Sequence, residues 1–479
     1  MTTLIPKYDQ GSANAVNRSF NQKLQEFVSV MDFGTKGDGT TDDTTAIQNA
    51  LNYASTLVKS NATYNYGTVG VLVPSNYTFL ITSISIPSGV GLICDNGIAY
   101  FVANSSTGVM IDTPVINSGN TPIYNIMVKG IYLYGKGSSG TLVGLRINNC
   151  QNAVVENCRA SNLSSSAFVI QSKFDGTSFT GTATSNTAYF REIRTYGCVL
   201  NTLLSTKTGV FNIQGTDHEF NSCEAQSSQT NLSSSNKYLV GWNLIGVSES
   251  RFTSCKGSVY DQGWFIDSNT LVNDFVSCRA DGNFAEGFYI NGSLNTFIGI
   301  DGDANSQSAT NTYDHVYFSS TATRNYIADG QLIGNTNPSI ICRYGVNDNN
   351  TTPSQPNRIG QMLLIQAVGT AAFNNGGGYL SVSLPDAISV LFNANNTTPT
   401  VNSSNIPLKN WKTNNSVSTI ISNFIGGFVG QIIMIESGDA NTTIQNNANI
   451  ITLTGSNITT GSGKLFNFRL NSSNVWVQF

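Results

Sequence analysis

Four carboxylates stand close together in a chain that is otherwise poor in charge: Asp261, Asp281, Glu286 and Asp303. Paired carboxylates suit glycosidic-bond cleavage, in which one protonates the leaving oxygen and the other attacks or activates water. Whether these four pair depends on the register of the segments that carry them. His218-Glu219-Phe220-Asn221-Ser222-Cys223, Ser250-Arg251-Phe252-Thr253-Ser254-Cys255, Asn273-Asp274-Phe275-Val276-Ser277-Cys278 and Asn295-Thr296-Phe297-Ile298-Gly299-Ile300 align without gaps. Phe220, Phe252, Phe275 and Phe297 form one column; Cys223, Cys255, Cys278 and Ile300 form another. Three positions after the second column stand Gln226, Ser258, Asp281 and Asp303. Asp281 and Asp303 are therefore expected on consecutive rungs, roughly 5 Å apart at ordinary strand spacing. That is near the ~5–5.5 Å of retaining glycosidases and short of the ~6.5–9.5 Å of inverting ones. Such closeness is expected to raise one of the two pKa values.

A second constellation follows each segment. Aligning the glycines of Asp261-Gln262-Gly263-Trp264-Phe265 and Glu286-Gly287-Phe288-Tyr289 sets Asp261 and Glu286 on neighbouring rungs, one position apart. That diagonal suits the wider carboxylate separation. Trp264 and Tyr289 are expected to offer ring faces to sugars, with core packing as the plainer role for Trp264. Asp281-Gly282 and Asp301-Gly302 also read as ordinary turn pairs.

Other chemistries find less. Asp217-His218-Glu219 and Asp314-His315 read as solvated, outward positions. No Gly-x-Ser-x-Gly elbow is present for an esterase. Lys256 and Arg279, which a lyase would use as bases, fall in a ladder with Glu224 and Asp301 that explains them structurally. Asp38-Gly39-Thr40-Thr41-Asp42-Asp43 lacks the terminal Glu of a Ca²⁺ loop, and helix capping by Asp42 or Asp43 accounts for it better. Two histidines exclude a multi-His metal site, and no Cys-x-x-Cys occurs. No metal and no cofactor are expected.

The elements that must position these residues follow from the repeat. The Phe columns step by 32, 23 and 22 residues through short β runs without helices, which predicts stacked coils of a parallel β-helix. Val154-Val155-Glu156-Asn157-Cys158-Arg159 reads as a weaker, earlier copy. Phe and Cys face inward, with Cys as a small buried hydrophobe. Outward charges then stack with alternating sign, as in Glu219 and Arg251. Helical spacing of Ala46, Ile47, Ala50, Leu51 and Ala54 predicts one helix over 43–57. After a turn-rich connector at 346–358, strands are expected at Met362–Val368, Tyr379–Leu384, Gly430–Ile435, Leu465–Leu470 and Val475–Phe479, making a β-sandwich. Charged residues are only 11% and net charge is −4, so no nucleic-acid partner is expected, since no basic excess exists to displace counterions. No apolar run reaches ~18 residues, so no membrane insertion is expected. Met1–Gln10 lacks a signal pattern, and folding in a reducing cytoplasm is expected.

Asp32-Phe33-Gly34, Gly37-Asp38-Gly39-Thr40-Thr41-Asp42-Asp43-Thr44 and Ala46-Ile47-Gln48 resemble the opening motif of the pectate-lyase-like parallel β-helix proteins. Within that family the layout looks like a bacteriophage tailspike, a polysaccharide depolymerase. The lead Leu4-Ile5-Pro6-Lys7-Tyr8-Asp9 and the closing Gly430-Gln431-Ile432, Asn441-Thr442-Thr443-Ile444 and Asn474-Val475-Trp476 carry that likeness. The resemblance implies an all-β fold: a right-handed parallel β-helix (solenoid) with an N-terminal capping helix and a C-terminal β-sandwich-like domain. Expected divisions are a lead over 1–31 for virion attachment, the β-helix over 32–345, a linker over 346–358, and a C-terminal domain over 359–479 for trimerisation or carbohydrate binding. The implied partners are a bacterial surface polysaccharide (capsule or O-antigen), two further copies in a homotrimer, and a tail or baseplate protein of the virion. The implied activity is endo-glycosidic hydrolysis. A polysaccharide lyase, or an adsorption protein of the same fold without catalysis, are the alternatives.

Overall fold

One residue in the left-handed backbone region turns the chain between two short strands, and the turn recurs. It is Asn157, Glu192, Ser222 and Ser254, at φ of 49°, 56°, 54° and 52°, and again Ser277 and Gly299, at 53° and 62°. Two residues before each turn stands a buried Val, Phe or Phe equivalent; one residue after it stands a buried Cys or Ile. Cysteine suits that corner because it is small and apolar yet carries a weak donor. The Cys223 thiol reaches the carbonyls of Phe190 and Asn221 at 3.5 and 3.4 Å. All eight cysteines are buried and unbridged. Burial pushes Cys158 and Cys198 up to about 12, so both stay thiols.

The computed structural model describes residues 7–8, 16, 18–19, 27–58, 68–114, 123–137, 139–171, 187–198, 207–227, 239–334, 341–352, 355–366, 368, 371–375, 381–382, 390–403, 406–407, 410–427, 429–461 and 463–479. Most of the lead segment 1–31, with the attachment role expected of it, lies outside them. The chain divides into two compact units, Met1–Tyr260 and Asp261–Phe479.

The first unit is built of coils that contribute one strand to each of three parallel ladders. The first ladder runs from Val28–Ser29 to Arg251–Thr253, the second from Asp38–Asp42 to Lys256–Ser258, and the third from Ile84–Ser85 to Leu239–Ser248. This is the expected parallel β-helix. Val155, Phe190, Phe220 and Phe252 pair in succession along the first ladder. Phe190, outside the aligned repeats, joins the column. Its ring lies 4.9 Å from that of Phe220, and Phe220 lies 5.0 Å from Phe252 at 5°. Each buried ring contributes roughly 1.5–3 kcal/mol, which locks the register that carries the outward charges. Glu219 pairs with Arg251 and Glu224 with Lys256, as expected.

The expected helix spans Thr44–Leu57 and buries Ile47, Ala50, Leu51 and Ala54. Asp42 caps it through the Thr44 N–H at 2.9 Å. Asp43 instead holds the preceding turn, accepting from Lys36 and Gly37 N–H at 2.7 and 3.0 Å. Gln48 pairs with the backbone of Ser85, accepting its N–H at 2.7 Å and donating to its carbonyl at 3.0 Å. A side chain thus stands in for a further strand at that ladder's end, which would otherwise present unpaired groups.

The second unit repeats the arrangement. Its first ladder holds Asp274–Val276 and Thr296–Ile298; its second holds Arg279–Asp281 and Ile300–Asp303; its third runs from Gln262–Ile266 to Ala371–Asn375. Tyr326–Ile333 and Arg358–Gln366 each span the first two ladders. The coils therefore continue through 346–358, and a boundary there is corrected. Asn273, Asn295, Asn325 and Asn357 form a buried column in which each residue donates its backbone N–H and Nδ2 to the next Oδ1 at 2.9–3.2 Å. Asn357, inside the turn-rich stretch, is a rung of that column. Of the predicted sandwich strands, Met362–Val368 and Tyr379–Leu384 overlap strands that pair onto the coils at Arg358–Gln366 and Ser381–Val382.

Beyond them, six strands and three strands form two sheets over one core of Phe392, Trp411, Phe424, Ile433, Phe468 and Trp476. The sandwich-like domain is present. Its opening pairs are parallel, Val390 to Trp411 to Ile435 and Thr419 to Thr442. Leu465–Leu470 then closes it antiparallel.

Candidate functional site

Asp281 ends a second-ladder strand one residue after the inward Ala280, and Asp303 does the same after Gly302. The two are register partners, so the consecutive-rung expectation holds. Strand spacing sets their Cα atoms roughly 4.8 Å apart. Arg279, two residues before Asp281 on the same outward face, lies between the carboxylates. Its Nε is 2.6–2.7 Å from both Asp281 oxygens, 3.4 Å from Asp301 and its Nη2 is 3.8 Å from Asp303. The two acids are therefore unlike. Asp281 is gripped and 17% exposed; Asp303 is 44% exposed with the guanidinium at the outer limit of an ion pair. Burial, and then the Asp281 charge, raise Asp303 above the usual carboxylate value, against the pull of Arg279. Asp303 thus holds a proton more tightly than an ordinary carboxyl, while Asp281 sits against the guanidinium, the kind of unlike pair that acid–base cleavage needs.

Glu286 precedes the third-ladder strand Phe288–Ile290 and is buried. Extending the Trp264–Phe288 pairing back two residues sets Gln262 opposite Glu286, and Gln262 Nε2 donates to Glu286 Oε2 at 2.7 Å. Asp261 lies one position earlier, half-buried, with its carbonyl accepting the Ala285 N–H at 2.7 Å. The diagonal offset of Asp261 and Glu286 is as expected. Extending Phe288–Val316 the same way sets Glu286 opposite Asp314, a neighbour that sequence reasoning placed in solvent. Asp314 is 0% exposed. It accepts from Arg343 Nε and Nη2 at 3.1 and 2.8 Å, from Asn347 Nδ2 at 2.7 Å and from the Tyr344 N–H at 3.2 Å. Its partner His315 is equally buried, and burial lowers its pKa to about 3. Asn305 Nδ2 donates to His315 Nδ1 at 3.1 Å, which leaves the proton of the neutral ring on Nε2. His218 is buried as well, lowered to about 4. The solvated reading fails for all three because these positions lie just before strands and their side chains turn inward, His218 to the Gln214 carbonyl, His315 to Asn305 and Asp314 to Arg343, Asn347 and the Tyr344 N–H.

Trp264 is corrected too. It is 0% exposed, stacks on Phe288 at 5.9 Å and donates Nε1–H to the Arg279 carbonyl at 3.1 Å. Trp242 makes the same bond, to the Lys256 carbonyl at 2.9 Å. Both are core anchors that tie the third ladder to the second. Tyr289 does point outward, but Phe265 and Tyr317 stack on it at 5.6 and 4.9 Å. Its two faces are occupied; its edge and hydroxyl are what it presents. Phe288-Tyr289-Ile290 above Val316-Tyr317-Phe318 was the signal in the sequence for that stack, and with it for Asp314. Burial first, and then the charges of Asp314, Glu286 and Asp303, push the buried Cys342 thiol up, so the acids of the two ladders bear on one neighbour. No cluster of three or more metal-ligating side chains occurs among the described residues, and none of their helices is long and apolar enough to cross a membrane.

No family model matches the chain and no curated protein does. Solved structures do. The tailspike protein of Escherichia coli bacteriophage HK620, in complex with a pentasaccharide, matches with a TM-score of 0.58 at 12% identity, over 93% of this chain and 79% of that one. ORF18 of Geobacillus virus E2 gives 0.47 at 14%, over 97% and 77%. The A-module of a mannuronan C-5 epimerase from Azotobacter vinelandii gives 0.48 at 15%, over 74% and 99%. At these identities the likeness to the HK620 tailspike is one of fold.

Proposed function

We propose that the chain is a phage tailspike that binds a bacterial surface polysaccharide and hydrolyses its internal glycosidic bonds. The observation that carries the reading is the in-register pair Asp281 and Asp303 with unequal partners. Asp303, the more proton-retentive of the two, protonates the leaving oxygen. Asp281, oriented by Arg279, attacks the anomeric carbon or activates water. The one-rung separation favours attack, hence retention. Asp261 and Glu286 are the reserve pair, less suited because Glu286 is buried against Gln262. Tyr289 contributes its hydroxyl edge to binding. A homotrimer is supported by the apolar side chains that the C-terminal sheets leave exposed, among them Leu453, Leu465 and Val417 at 70, 59 and 57%. Attachment through the lead to a virion tail or baseplate, after assembly in the host cytoplasm, belongs to the same reading.

Elimination is the weaker chemistry at this site. A lyase needs a base, and the carboxylates around Arg279, Asp281 first, raise its pKa further. Adsorption without cleavage draws on the same arginine, since three carboxylates round one guanidinium also make an ion network. Incubation with purified host polysaccharide separates the readings. Hydrolysis yields oligosaccharides with new reducing ends and no unsaturated-uronate absorbance. Elimination yields that absorbance, and adsorption yields bound but intact polymer.

A further inference from the structure

In the first unit the outward face of the second ladder changes character at two coils. Tyr100 pairs with Tyr132, Tyr132 with Arg159, and Arg159 with Arg194. On the parallel outward row Tyr134 and Tyr196 stand on either side of Ser161. Tyr134 is 42% and Tyr196 57% exposed, and both arginines are exposed. Like charges directly opposite in a ladder destabilise it. Further along the same row the chain avoids this: Glu224 meets Lys256 at 3.6 Å. Arg159 and Arg194 have no such relief, because among the described residues neither makes an ion pair and the in-register acid, Glu224, is committed to Lys256.

Two exposed arginines in register on adjacent rungs, neither in an ion pair among the described residues and both near exposed tyrosines, form a site for an anion that also carries a flat, partly apolar ring face. We infer that this face of the Met1–Tyr260 unit is a second saccharide site, selective for an acidic sugar. Arg159 and Arg194 take the carboxylate, while Tyr134 and Tyr196 contact the ring. The inference rests on the reading that the chain handles polysaccharide, and it goes beyond it by naming a sugar class and residues remote in sequence from Asp281 and Asp303. A nucleic acid shares the anion and the ring, and oligothymidylate stands for it in the titration.

Calorimetric titration of the full chain tests this with short oligomers of glucuronate, galacturonate and mannuronate. Each is compared with its carboxyl-reduced neutral form, and oligothymidylate of equal charge serves as the rival anion. At least one uronate oligomer is expected to bind about tenfold more tightly than its neutral form, the scale of one or two charge-assisted bonds. In the R159Q/R194Q variant that preference disappears; in Y134A and Y196A both forms weaken together. R159Q is further expected to raise the melting temperature without ligand, since it removes the like-charge opposition and leaves Arg194 beside Glu224. The inference is overturned if no uronate is preferred, if the preference survives R159Q/R194Q, or if oligothymidylate binds as well as the uronates. The readout involves no cleavage. A cleavage-dead D303N protein that keeps the preference upholds this site, and a chain that cuts a neutral polysaccharide without any uronate preference refutes it while sparing Asp281 and Asp303.

Discussion

Two pairs of carboxylates are stacked rung on rung in the second unit, and they are opposites. Asp314, opposite Glu286, is wholly buried and saturated by Arg343, Asn347 and a backbone N–H. Asp303, opposite Asp281, is nearly half exposed and, among the described residues, has the distant Arg279 as its cation. The same ladder geometry thus makes a structural lock in one place and, in the proposed reading, a reactive pair in another. What decides between them is the number of donors each carboxylate receives and the room left for a substrate.

The comparison breaks most visibly on stability. Asp314→Ala strands the Arg343 guanidinium, a third exposed, and is expected to cost about 3 kcal/mol, at the low end for a broken buried pair. Asp303→Ala is expected to stay within ~0.5 kcal/mol. Chemical denaturation of the two variants checks the contrast, and equal losses would abolish it.

Asp348 sharpens it by pH. This buried acid accepts from Asn350 and Asn357, at the end of the asparagine column, yet burial lifts it from 3.8 to about 6. A carboxyl whose folded pKa lies above its unfolded one binds its proton more tightly when folded. It therefore costs stability as pH rises from about 4 to about 6, and the full cost persists above that. Asp348→Asn keeps the acceptor oxygen and removes the charge. It should stabilise the chain by up to about 3 kcal/mol at pH 7 and by nothing near pH 3.5. Melting curves at the two pH values test this; equal gains at both would contradict it.

The smallest effect is expected at Arg279→Gln. An exposed ion network is worth about 0–1 kcal/mol, so the melting temperature should hardly move. Losing the guanidinium removes the one influence that lowers Asp303, so the alkaline limb of the cleavage profile should shift to higher pH. A shift to lower pH would mean that Asp303 is not the proton donor.

The Phe and Cys columns were legible because each coil repeats the same side chain at the same inward corner. Asp281 and Asp303 came with them, lying three residues downstream on a short strand with no room to slip. The third ladder was harder, since it is reached through connections of unequal length that reset its inward–outward phase. Trp264 was therefore open to either face, and its match to Trp242 emerges only from their shared hydrogen bond to a neighbouring ladder. His218 and Asn357 misled for another reason: polar residues beside turns read as surface or linker, and their burial depends on contacts between coils. The asparagine column carries the helix through a stretch whose Asn and Asp content imitates a linker.

The most direct test is the rate of polysaccharide cleavage by D303N, measured beside its binding of the same polymer and its melting temperature. Loss of about 10²–10⁴-fold in rate, with binding and melting unchanged, is the predicted result. Cleavage within a few-fold of the unaltered chain would show that the exposed member of the stacked pair is not the acid, and that this corner of the coils serves structure alone.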